Sequence, residues 1–219
     1  MNSPILQLLV LAGIAVFLIL RLRSVLGTRE GFEKPPAPMP GADKTSRRDF
    51  EVIEGGPDRD ITDHVADGSP AADALARMKR VDGSFSVSEF LQGARGAYEM
   101  ILMGFERGDM AEIKPFLSDE VYETFAEVVE ARTAQGLTIE AEFAGVRELS
   151  LADATFDDEN TLAEITVRYV GELSSVVRNR AGDIIEGSAT QVKRQNDTWT
   201  FARDMGNDDP NWQLVATGE

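Results

Sequence analysis

Histidine and cysteine carry much of the nucleophilic, acid–base and metal chemistry that proteins perform near neutral pH. This sequence of 219 residues has one histidine, His64, and no cysteine. Disulfides, thiolate nucleophiles and cysteine metal sites are therefore excluded, and the composition fits a reducing compartment. His64 has no second histidine to complete a metal site, so it gains no ligating or catalytic role. Residues 86–219 contain neither type, and no Ser-His or Cys-His pair can be assembled inside them. A glycine-rich phosphate loop is also missing. What that segment does hold is carboxylate, 26 Asp and Glu against 11 Lys and Arg. Numbers alone leave a carboxylate acid–base pair open. Glu99 and Asp109, beside an apolar helix pattern, are explained by a solvated face and a helix cap. The expectation is a protein that is not an enzyme and uses no cofactor.

The charge is unevenly spread. Residues 1–85 carry 11 basic and 12 acidic side chains, net −1, whereas 86–219 carry net −15 of the total −16. A domain this acidic offers no basic face to a phosphate backbone, which excludes a nucleic-acid partner. The most acidic loop, Asn207-Asp208-Asp209-Pro210-Asn211, lacks the ligand periodicity of a calcium site. It reads as a solvated hairpin tip in which Pro210 fixes the backbone and Asp209 and Asn211 bond local amides.

The elements that would position any site begin with a greasy segment. From Ile5 to Leu20 only Gln7 is polar, and the run stops at Arg21-Leu22-Arg23. As a helix it spans about 24 Å, against a bilayer interior of about 30 Å. Arginines that reach to the interface, with Leu22, Val25 and Leu26, cover the difference. A cleaved signal peptide would place Lys or Arg before the run and small residues after it, and neither is present. Residues 1–27 are therefore expected to be a transmembrane anchor, with a peripheral hydrophobic anchor as the alternative. Arg21, Arg23, Arg29 and Lys34 follow the run, which puts the N-terminus outside and the bulk of the chain in the cytoplasm. Residues 28–84, with closely spaced Pro and Gly, read as a flexible linker. Near its end Ser69-Pro70 followed by AADALARMKR resembles a capped short helix. Its Arg77, Lys79 and Arg80 form a solvated face or touch anionic lipid.

Residues 85–219 read as an α+β domain of helices packed on a curved antiparallel sheet. Val87, Phe90, Leu91, Ala94, Tyr98, Ile101, Leu102 and Phe105 have helical spacing, with a Ser86/Glu89 capping box and a stop at Gly108. Asp109 is placed to cap a short helix ending near Pro115, and Ser118 to start another that closes at Gly136. After Gly136 the period becomes two. Strands are expected over Leu137–Phe143, Ala163–Leu173, Ile184–Arg194, Trp199–Phe201 and Trp212–Ala216, with a turn at Asn196-Asp197. Short connections make them an antiparallel meander. Seven aromatics, Tyr98, Phe105, Phe125, Phe143, Tyr169, Trp199 and Phe201, either fill the core or line a pocket between helices and sheet.

The stretches FLQGARGAYEMILMGFERGD, LSDEVYETFAEVVEARTAQGLTIEAEF, AEITVRYVGELSSVVRNRAGDIIEG and DTWTFARDMGNDDPNWQLVAT resemble the Tim-44-like family, in its membrane-anchored alphaproteobacterial form. The likeness covers about residues 84–217. It implies a nuclear-transport-factor-2-like (cystatin-like) fold, a cone of helices on a curved sheet enclosing a pocket. It also implies an adaptor at the bacterial inner membrane, single-pass, since the mitochondrial relative links the protein-import channel to a heat-shock chaperone. The implied partners are the membrane and a protein, either a translocase component or a heat-shock chaperone. The alternative is a module that binds a lipid or small apolar ligand in the pocket. Trp199, Phe201, Asp209, Pro210, Asn211 and Trp212 match the family pattern, and hairpin closure and core filling account for them. The chain departs from the mitochondrial relative in having an apolar anchor where that protein has a presequence, and a short linker unlike its chaperone-binding region.

Overall fold

The computed structural model describes residues 56–218. The expected anchor from Ile5 to Leu20, its flanking Arg21 and Arg23, and the linker up to residue 55 lie outside the described residues. Among the described residues no helix is long and apolar enough to cross a membrane.

Helices come first. They are α1 (Arg59–Thr62), α2 (Pro70–Val81), α3 (Val87–Arg107), α4 (Met110–Ile113), which runs into a 3-10 turn (Lys114–Phe116), and α5 (Asp119–Ala134). Ser69 caps α2 by accepting the Ala72 amide at 3.1 Å, with Pro70 in the first turn, as the sequence suggests. The expected linker of 28–84 is nevertheless too long at its C-terminal end. Leu75 and Met78 of α2 are 0% exposed and belong to the core. Small residues account for the difference: Ala71, Ala72 and Ala74 look weakly apolar in composition, yet their size lets α2 lie close against β1.

In α3, Ser86 accepts the Glu89 amide at 3.3 Å, which is half of the expected capping box. The other acceptor comes from far away in sequence. Asp60 takes the Val87 amide at 2.8 Å, the Ser88 amide at 2.9 Å and the Ser86 hydroxyl at 3.1 Å. Gly108 ends the helix with φ of 79°, a left-handed value that suits glycine. Asp109 makes no side-chain cap bond, contrary to expectation. Ser118 caps α5 through the Val121 amide at 3.3 Å.

The sheet has four antiparallel strands in chain order, β1 (Thr138–Asp157), β2 (Leu162–Arg178), β3 (Ile184–Asp204) and β4 (Gln213–Gly218). Helices followed by a curved antiparallel meander confirm the α+β class. Two corrections apply to the strands. Asn196-Asp197 is no turn, so the two strands expected on either side of it are one. Trp212 precedes β4 instead of opening it. β1 also outruns the expected Leu137–Phe143. Its register slips between Phe143 and Gly145, Val146 and Glu148, and Leu151 and Asp153. Such bulges break the alternation and bend the strand. Arg95 of α3 donates to the Val146 carbonyl at 2.8 Å, tying the helix to this irregular edge.

Alternate residues of β2 form the floor of the core. Ala163, Ile165, Val167 and Tyr169 are all 0% exposed, and α2 and α3 cross above β1 beside them. β4 is held from its other side by α5: the Ser118 amide donates to the Leu214 carbonyl at 2.9 Å.

Lys79 completes the clamp at the start of α3, bridging Asp58 at 2.7 Å and Asp60 at 2.8 Å. Partial burial pushes the Asp60 carboxyl up, but hydrogen bonds from Lys79, Ser88 and Val87 outweigh it and hold the group far below the usual carboxylate range. For Lys79 burial pulls down, and the bonds to Asp58 and Asp60 reverse the sign and raise it. A depressed carboxyl stabilises the fold above its unfolded pKa of about 4, and that contribution is lost as pH falls. The raised ammonium contributes below its unfolded pKa and is lost at strongly alkaline pH. Chemical denaturation of Asp60→Asn at a series of pH values should show lower stability at pH 7 and a shallower loss on acidification below about pH 5. A slope identical to that of the unsubstituted chain would show that this carboxylate is not the acid-sensitive clamp.

Candidate functional site

The seven aromatics expected either to fill the core or to line a pocket divide into three groups. Tyr98 stacks on Tyr169 at 4.4 Å with an 11° interplanar angle, and Trp199 packs on Tyr98 at 4.8 Å. Phe201 continues the row from Trp199. All four are buried. At this crossing the space between α3 and the sheet is thus occupied by stacked and tilted rings. Phe143 sits half-buried 6.0 Å from Tyr98. Phe105 and Phe125, also half-buried, join α3 to α5 at 4.6 Å, and the Arg132 guanidinium lies 4.3 Å from the Phe105 ring.

Polar atoms inside this row are matched. The Tyr98 hydroxyl donates to Asp197 at 2.5 Å, and the Gln195 amide donates to the other carboxylate oxygen at 3.0 Å. Tyr169 donates to the Ala94 carbonyl at 3.1 Å. Burial pushes the Tyr98 phenol far up, and the hydrogen bond and charge of Asp197 push the same way. Burial does the same to Tyr169, against a weak downward pull from Arg95. Both phenols are therefore fixed as donors. A buried pair of this kind holds elements together and has no access to a substrate.

An open site lies instead at the first turns of α3. There a cleft of about 360 Å³ is floored by Phe85, Phe90, Phe116, Phe201 and Trp212. Of the expected lining residues only Phe201 reaches it. Trp212 is half-buried and meets Phe90 edge-on at 4.7 Å and Phe85 at 5.9 Å. Asp82, Glu89 and Arg203 form part of the rim. An apolar floor with a few polar groups at its edge suits an apolar anchor from a partner, or an acyl chain.

Arg203 builds this cleft. It pairs with Asp82, at the end of α2, at 3.1 Å, and donates to the Asp209 carbonyl at 3.0 Å. Asp82 is held below the usual carboxylate range first by the Ser84 hydroxyl and amide, and further by Arg203, against a small upward push from burial. Asp209 in turn accepts the Asn211 amide at 2.9 Å and its side-chain nitrogen at 2.7 Å. The acidic loop is therefore the local turn that the sequence implies. Its link to Arg203 is what sets Trp212 over the cleft, and no sequence signal marked that link.

His64 also lies differently from expectation. It follows α1, and its Nε2 is 3.2 Å from the Ser88 hydroxyl at the start of α3. His64 is half-buried and Ser88 exposed, and His64 bonds no carboxylate among the described residues. Among those residues no group of three or more His, Cys, Asp or Glu converges as a metal site.

Residues 71–219 match the Tim44-like domain family. The mitochondrial import inner membrane translocase subunit TIM44 of Homo sapiens is 25% identical over 167 residues, and that of Rattus norvegicus 23%. Each alignment takes in 72% of this chain but 36% of the relative, so the chain spans about a third of the curated proteins it matches. Among solved structures, the intermembrane space region of chloroplast protein ARC6 overlays with a TM-score of 0.42 at 10% identity, over 58% of this chain and 94% of that one.

Two substitutions separate the filled interior from the open cleft. Tyr98→Phe strands the Asp197 oxygen in the core and should cost about 1–3 kcal/mol in urea unfolding, with Trp212 emission unchanged. Arg203→Ala should do the opposite: small loss of stability, but a red shift and greater quencher access for Trp212, the half-buried one of the two tryptophans. An unshifted emission in Arg203→Ala would mean that the loop holds its place without the arginine.

Proposed function

The chain belongs to the Tim44-like domain family, and from that premise we propose that it is a non-enzymatic adaptor, anchored in a membrane through Ile5–Leu20 and facing the cytoplasm. Its fold is assigned to the nuclear-transport-factor-2-like (cystatin-like) group, and its membrane to the bacterial inner membrane. The adaptor holds a protein partner, a translocase or chaperone component or another envelope-assembly protein, by the cleft under Trp212. The observation that carries this reading is the cleft itself. Its aromatic floor is half-open, whereas Tyr98, Tyr169 and Trp199 are buried against one another. Completing the burial of a half-buried indole against a partner's side chain is a common source of binding energy. Anchoring adds to it, because a linker converts a weak encounter into one at an effective concentration of about a millimolar or somewhat less.

The second reading, a lipid or small apolar ligand, is favoured by the same apolar floor. An acyl chain would then lie beside Phe90 and Trp212, at the cleft.

In-cell crosslinking and capture of the full chain, beside versions lacking residues 1–27 or carrying Trp212→Ala, separates these readings. The adaptor reading expects a translocase, chaperone or envelope protein captured by the full chain and reduced severalfold or more in both variants. Recovery of lipid alone, or equal capture by the version lacking residues 1–27, would refute it.

A further inference from the structure

Apolar surface left in water tends to be covered in an assembly. Ile184, Ile185 and Val192, all in the outer half of β3, are 52%, 55% and 52% exposed. Val177 pairs with Glu186 and Arg178 with Ile184, so Ile185 is the extra residue of a bulge, turned out of the ladder. The preceding turn is firm. The Asn179 side chain accepts the Ala181 and Asp183 amides, each at 2.9 Å. Ile184 and Ile185 thus form an apolar corner on a hydrogen-bonded turn, with Val192 exposed farther along β3.

Its charge also sets it apart. From 176 to 194 the sequence has Arg178, Arg180, Lys193 and Arg194 against Asp183 and Glu186, in a domain otherwise dominated by carboxylates. Arg178 and Arg194 are engaged with Glu140 and Glu172. Arg180 and Lys193 make no ion pair among the described residues. The cleft has the complementary character: an aromatic floor, Arg203 already neutralised by Asp82, and the exposed carboxylates of Glu89 at the rim and Asp208 in the adjoining loop.

Corner and cleft lie at opposite ends of α3. Ser86, Glu89 and Phe90, from its start, line the cleft, whereas Glu106, near its end, shares a hollow with Leu173, Ser175 and Lys193, where the hairpin begins. A helix of 21 residues is about 30 Å long. One molecule cannot place its own corner in its own cleft.

The geometry points to head-to-tail self-association, in which the Ile184–Ile185 corner of one copy enters the cleft floored by Phe85, Phe90 and Trp212 of a second copy. Arg180 and Lys193 then face Glu89 and Asp208. The two surfaces differ, so the contact is heterologous and continues into a row or closes into a ring. It goes beyond the adaptor reading and competes with a foreign partner for the same cleft.

The chain has no cysteine, so introduced pairs report cleanly. Full-length protein in detergent, carrying Ile185→Cys together with Gly93→Cys, should give a ladder of disulfide-linked dimers, trimers and longer species on mild oxidation. Gly93 lines the cleft, and a Cβ there meets nothing within 4 Å. Mixing the two single variants should stop the ladder at dimers. Ile185→Glu should weaken concentration-dependent association in sedimentation by about tenfold or more, with an unchanged melting curve because the side chain is exposed. Purely monomeric protein at every concentration overturns the inference, and so does association that Ile185→Glu leaves intact. A ladder equally strong when Gly93→Cys is replaced by Asp73→Cys, on the exposed face of α2, overturns it too. Partner capture that survives Ile185→Glu while self-association is lost separates this inference from the adaptor reading.

Discussion

Where α3 crosses the sheet, the hydroxyl end of a tyrosine sits close over a glycine of a strand, and helix and sheet are arranged around that contact. A Cβ at Gly171 would stand 2.5 Å from the Tyr98 hydroxyl and about 3 Å from the ring, so the crossing requires a residue without a side chain on β2. Tyr169 stacks on the other part of the ring and Asp197 takes its hydroxyl, which fixes helix, β2 and β3 relative to one another. A buried hydroxyl without that acceptor would carry a desolvation cost, and a buried carboxylate without its donors a larger one. The pair is stable only as a pair. That is why Asn196-Asp197, a plausible turn by composition, is instead the middle of a long strand.

With rings packed at the middle of α3, an open aromatic surface remains at the start of that helix. At the start of α3 the cleft is bounded by side chains from the α2–α3 connection, α3, the 3-10 turn, β3 and the loop before β4. Two ionic contacts bring these segments together, Asp60 with Lys79 behind the helix and Asp82 with Arg203 in front of it. Asp60 does the work of a helix cap from 27 and 28 residues away, since its oxygens receive the Val87 and Ser88 amides that the first turn leaves unbonded. Partial burial strengthens both contacts relative to ordinary surface pairs. Trp212 owes its position to this arrangement, because Arg203 holds the carbonyl of Asp209 three residues before it.

Much of the fold is legible along the chain. The helical spacing from Val87 to Phe105, the caps at Ser69, Ser86 and Ser118, the stop at Gly108 and the alternation in β2 are local signals, and each corresponds to an observed feature. Local signals failed where a residue's role comes from a distant partner. Ala71, Ala72 and Ala74 look like linker until β1 is placed beside them. β1 itself loses its alternation at bulges. The aromatic residues could be read as core or as pocket, and sequence spacing cannot choose between them, because ring orientation depends on what faces the ring.

What the sequence by itself determined is the order of elements, the charge of the domain and the lack of thiol chemistry, all of which follow from residue type and short-range period. Tertiary structure alone decided that Tyr98, Tyr169 and Trp199 are buried against one another, that an open aromatic cleft lies under Trp212, and that Asp60, Arg203 and His64 act on segments far from them in the chain. The physical reason is range. Propensity and periodicity act within a few residues, whereas packing, desolvation and ion pairing depend on which side chains the folded backbone brings within about 4 Å.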